Sequence, residues 1–93
     1  MNVFIREKES GNYYNFFDVS TINISIREFS EEKYAIDIHI FNNTFHAYAN
    51  ILRAKYEKHD IDDMYCELDS KIRTEKFVII ACDSVHAMPV SSL

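Results

Sequence analysis

The chain has one glycine, Gly11, and one proline, Pro89, among its 93 residues. Loops that cradle a phosphate need glycines so the backbone can close on the ligand, so P-loop and dinucleotide-binding fingerprints are excluded. Its two cysteines, Cys66 and Cys82, make no CxxC pair and are too few for a disulfide framework. Free thiols in a reducing cytoplasm are expected. No apolar run approaches the roughly 20 residues of a membrane-spanning helix. Met1 to Arg6 shows no basic segment leading into an apolar stretch, so no signal peptide is expected. Basic residues are the minority, 10 Lys and Arg against 15 Asp and Glu, for a net charge of −5. Nucleic-acid binding, which relies on a basic patch, is therefore not expected. The balance suits a basic protein partner, or serves solubility alone.

What remains is an ordinary globular composition, 47% hydrophobic and 27% charged, too apolar for a disordered chain. A chain of this length buries roughly 60–65% of its unfolded surface, enough for one core layer between a sheet and a helix. No repeat or linker divides it, so residues 1–93 are expected to form a single small α+β domain. The abundance of Ile, Asn, Lys, Tyr and Phe suggests an AT-rich coding source such as a phage or mobile element.

The strongest pattern is alternation. Ile22, Ile24 and Ile26, then Ile36, Ile38 and Ile40, each fall on one side of a pleated strand. Glu31, Glu32 and Lys33 form the charged connection of an antiparallel hairpin. Both trios must face one core, so Ile26 is expected opposite Ile36 or Ile38, never opposite Asp37.

Around this hairpin the expected fold is an antiparallel β-meander of four to five strands packed against one α-helix. A first strand covers 2–8 and ends at Ser10-Gly11-Asn12. Tyr13 to Phe29 is too long for one strand and should bend between Asp18 and Thr21. Residues 44–58 read either as a further strand or as a helix capped by Thr44; a turn at Asn42-Asn43 favours the strand. The helix is expected over 60–73, with Asp60 as N-cap and Ile61, Met64, Tyr65, Leu68 and Ile72 on one stripe. A closing strand over 76–82 is apolar at every position, which suggests an interior place in the sheet. Residues 84–93 read as a loose tail or short edge strand.

Few residues suggest chemistry. The expected turn sets His39 across from His46 and Asp37 across from Tyr48, on the face away from the isoleucines. Two imidazoles beside a carboxylate are weak candidates for a metal site or proton relay, but a structural metal wants more ligands. The acidic neighbours of Cys66 argue against a nucleophile there. His59-Asp60 matches a dipeptide of metal-dependent phosphohydrolases, yet Asp60 is explained by capping. No catalytic residue and no cofactor are therefore expected, and an enzyme is the weaker class.

A binding role fits better. Asp62, Asp63, Glu67 and Asp69 should project from the helix opposite its core stripe, a face suited to a cationic surface. The aromatic run Tyr13, Tyr14, Phe16, Phe17 holds more apolar surface than one strand face can bury, which makes Tyr13 and Tyr14 candidate contacts. The expectation is a small acidic cytoplasmic inhibitor, of the toxin-immunity or anti-defence kind, docking on a basic protein such as a nuclease. A homo-oligomeric accessory subunit, including a homodimer, is the alternative.

Overall fold

The computed structural model describes residues 1–89. In chain order the elements are β1 (Asn2–Glu7), β2 (Tyr13–Phe16), β3 (Thr21–Glu28), β4 (Lys33–Phe41), β5 (Phe45–Ala54), a 3-10 turn (Lys55–Glu57), α1 (Lys58–Thr74), β6 (Phe77–Cys82) and β7 (Ser84–Pro89). The fold is α+β, with seven strands in two sheets and one helix in the C-terminal half, among the described residues. The expected single meander is corrected in this respect. Only β3, β4 and β5 form a meander, extended by β7 at its edge, while a second sheet runs in the order β2-β1-β6.

The break between sheets lies where the aromatic run was expected to bend. Asp18 takes a positive φ of 56°, a region that Asp tolerates better than most residues. The buried Val19 beside it anchors the new direction. Gly11 also has a positive φ, 74°, which suits the β1–β2 turn.

The isoleucines pair as parity demanded. Ile22 faces Ile40, Ile24 faces Ile38 and Ile26 faces Ile36. The second hairpin differs from expectation by one turn position. The connection centres on Asn43-Thr44 rather than Asn42-Asn43, so His39 opposes Tyr48 and Asp37 opposes Asn50. The cause is local. The Asn42 Oδ1 accepts bonds from the Thr44 N–H, the Thr44 hydroxyl and the Phe45 N–H at 2.8–2.9 Å, and the Asn42 N–H donates to the Phe45 carbonyl. Asn42 is thus the residue entering the turn. The faces survive the shift because it preserves parity.

Residues 45–54 are strand, as the turn chemistry favoured. The helix begins earlier than expected, at Lys58, and Asp60 is not its N-cap. Glu57 holds that position without a side-chain cap bond. Asp60 sits in the first turn, where its charge still favours the positive helix end. The stripe of Ile61, Met64, Tyr65, Leu68 and Ile72 packs into the core as its spacing required.

One hydrophobic cluster unites the layers. Val3, Ile5 and Phe16 from the smaller sheet and Ile36, Ile38, Ile40, Ala47, Ala49 and Ile51 from the larger one are all buried. Phe16 and Phe45 bridge the sheets, with ring centroids 5.1 Å apart. At the β6–β7 corner the chain crosses between sheets, held by Asp83. Its N–H donates to the Asn50 carbonyl at 2.8 Å and its Oδ2 accepts from the Leu52 N–H at 2.7 Å.

Strand β6 corrects the expectation of an interior strand. It pairs parallel to β1 and lies at the sheet edge. Val78, Ile80 and Cys82 enter the core, while Phe77, Ile79 and Ala81 face outward and are exposed. Of the segment 84–93, residues 84–89 form the edge strand β7, paired with β5. The loose tail expected at its end lies outside the described residues from position 90 onward.

Candidate functional site

Strand β4 sends Ile36, Ile38 and Ile40 inward and β5 sends Ala47, Ala49 and Ile51 inward, so Asp37, His39, His46 and Tyr48 share the opposite face of the larger sheet. Arg27 reaches them diagonally from β3. Its Nε and Nη2 donate to the two Asp37 oxygens at 2.6 and 3.0 Å, and the Tyr48 hydroxyl donates to Asp37 Oδ1 at 2.6 Å. The Arg27 bonds hold the Asp37 carboxyl below its ordinary range; burial opposes this and Tyr48 assists it. Asp37 in turn tightens the hold of Arg27 on its proton. A carboxylate so stabilised is a poor proton donor at neutral pH. The cluster is a satisfied ion pair that ties three strands together.

His39 and His46 meet despite the shifted register, because diagonal neighbours on a sheet remain within reach of large side chains. The His39 Nδ1 and His46 Nε2 are 3.1 Å apart. Phe41 stacks on His46 with centroids 4.4 Å apart, and His39 lies 5.1 Å from Tyr48. Two nitrogens at that distance share one hydrogen. Among the described residues no group of three or more His, Cys, Asp or Glu side chains is placed to hold a metal ion. Among the described residues no carboxylate bonds to the pair, and Asp37 is committed to Arg27 and Tyr48.

The acidic side of α1 is less uniform than its sequence suggests. Asp62, Asp63 and Glu67 are exposed and Asp69 is half-buried. Glu67 pairs with Lys71 at 3.2 Å and Asp69 with Arg73 at 2.9 Å, both one helical turn apart. These pairs add little stability but cancel charge. Asp60, Asp62 and Asp63 stand exposed at the start of the helix, and among the described side chains none forms a salt bridge with them. The two tyrosines also separate. Tyr13 is 74% exposed. Tyr14 is half-buried, stacks on Phe16, and donates its hydroxyl to Glu7 at 3.4 Å.

The feature that sequence reasoning missed is the outer face of the smaller sheet. Phe4 on β1 sits edge-on to Phe17, with centroids 5.8 Å apart, and tilts against Phe77 at 4.8 Å. Ile79 is the register neighbour of Phe4 on β6. Phe17 is 54% exposed, Phe77 48% and Ile79 68%. No element among the described residues covers this face. The signal was present in Phe77 to Cys82, where every position is apolar, but it was read as double burial. A strand can equally be apolar on both faces when one of them awaits a partner.

The cysteines are confirmed as unpaired, Cys66 exposed and Cys82 buried. Burial pushes the Cys82 thiol up to about 12. Ellman's reagent should therefore label Cys66 in the native chain and reach Cys82 only after denaturant is added. Labelling of both thiols at the same native rate would mean that β6 opens readily.

Comparison of the chain with protein-family models, curated proteins and solved structures gives no match.

Proposed function

We propose that this chain is a small, non-catalytic protein-binding module that acts as an inhibitor by covering a basic surface of a partner protein, such as a toxin or nuclease. The observation that supports this reading is the uncovered aromatic face of Phe4, Phe17, Phe77 and Ile79. Aromatic side chains clustered on a rigid sheet are the usual core of a protein contact, since they lose little entropy when buried. Asp62 and Asp63, exposed in the first turns of α1, supply a negative field that steers a basic partner. A metal-binding or enzymatic reading through His39 and His46 has only their two nitrogens to support it.

The test is affinity capture on the immobilised chain from cells of its own host, then binding kinetics with the captured protein as salt is raised. The double reversal Asp62→Lys and Asp63→Lys should slow association on the order of tenfold, an effect that fades with salt. Phe17→Asp should instead speed dissociation, on the order of 30-fold for an interface anchor. A specific partner whose binding neither change affects would refute the assignment.

A further inference from the structure

We propose that the open edge of β6 pairs with the same edge of a second copy of this chain, antiparallel about a two-fold axis at Ile79. Two three-stranded sheets would then become one continuous sheet. The ladder with β1 determines which backbone groups are available. The Asn2 N–H donates to the Lys76 carbonyl and the Lys8 N–H to the Cys82 carbonyl, at 3.0 and 2.8 Å. In this parallel register Lys76, Val78, Ile80 and Cys82 direct their backbone groups toward β1. Phe77, Ile79 and Ala81 direct theirs to the other side, where no bond to another element is found among the described residues. The helix packs mainly on β3, β4 and β5 and makes no backbone bond to that side among the described residues. Between the helix and this edge runs a groove of about 220 Å³, bordered by Met64, Glu67, Leu68 and Lys71 on the helix and by Ile79 and Ala81 on the strand.

Two features favour a second copy as the occupant. Centring the axis on Ile79 satisfies every open N–H and C=O of Phe77, Ile79 and Ala81 on both strands, and a shift in either direction leaves some unpaired. The same register sets the large Phe77 against the small Ala81 and the two Ile79 side chains against each other on the outer face. An open, apolar strand edge without a charge or proline to block it is otherwise a route to uncontrolled association, and a closed two-fold pair removes that hazard.

Sedimentation equilibrium from low micromolar to sub-millimolar concentration tests the proposal. The wild-type chain should approach twice its monomer mass. Ile79→Lys places like charges opposite each other at the axis and should weaken self-association on the order of 100-fold or more. Ile79 is 68% exposed, so this variant should keep the wild-type circular dichroism spectrum. Tyr13→Lys, on the opposite edge of the same sheet, should leave the dimer intact. In a Cys66→Ser background, Ile79→Cys should oxidise to a covalent dimer, because residues facing each other in a bonded antiparallel pair lie about 5.5 Å apart at Cα, within disulfide range. A wild-type chain that stays monomeric throughout would overturn the proposal. So would a dimer that survives Ile79→Lys. Neither outcome bears on capture of a basic partner, which is read separately.

Discussion

Ile38→Ala should destabilise the fold by about 3–4 kcal/mol, within the range for truncating a fully buried isoleucine. Ile38 lies at the centre of the larger sheet, between Ile24 on β3 and Ala49 on β5, and is completely buried. Its strand neighbour on β5 is already an alanine, so little side-chain volume is available to collapse into the space left. Total stability for a chain of this size is roughly 5–14 kcal/mol, so this one change removes a large share. Urea denaturation at neutral pH measures it, as a lowered midpoint with an unchanged slope. The same truncation at Ile26 should cost under about 1 kcal/mol, because that side chain is 38% exposed at the end of its trio. Equal losses at the two positions would mean that the core is not centred where the burial places it.

Asp37→Ala should cost about 2–3 kcal/mol through a different mechanism. It removes charge-assisted bonds to Arg27 and a bond to the Tyr48 hydroxyl, which are worth more than neutral ones. The Asp37 side chain is 9% exposed and that of Arg27 45%. The orphaned guanidinium can therefore turn to water, which keeps the cost below that of stranding a fully buried charge. The pH dependence has a definite sign. The carboxyl of Asp37 is held below its ordinary range in the folded chain, so its stabilising contribution is complete above the unfolded-state carboxylate range. It is lost as pH falls through the depressed folded-state value. Denaturation at neutral and acid pH should show wild-type stability dropping in acid, and a smaller drop in Asp37→Asn. An unchanged acid response in that variant would assign the pH sensitivity to other carboxylates.

Both results rest on features that were partly visible before the fold was known. Alternation placed Ile38 inside and Asp37 outside, and parity survived even though the turn moved by one residue. The ion pair was not visible, because Arg27 reaches Asp37 diagonally across a strand pair and no sequence spacing encodes that reach. The His39–His46 contact was expected from a register that proved incorrect, and persists because long side chains span the diagonal. The acidic helix was read from residue types alone; placement of Lys71 and Arg73 one turn from Glu67 and Asp69 reduced its usable charge to the first turns.

Local patterns therefore determined this protein's strands, its helix stripe and which side of each strand enters the core, since a period of two or of 3.6 acts over neighbouring residues. The tertiary structure decided how the strands divide into two sheets and which edges stay open. Strand β6 shows why. Its apolar residues on both faces are compatible with the middle of a sheet or with an edge awaiting a partner, and nothing within Phe77 to Cys82 distinguishes the two. The choice depends on β1, about 75 residues away in sequence, which takes one side of β6, and on α1, whose stripe commits the helix to the other sheet. Those long-range packings leave Phe77, Ile79 and their backbone groups facing outward.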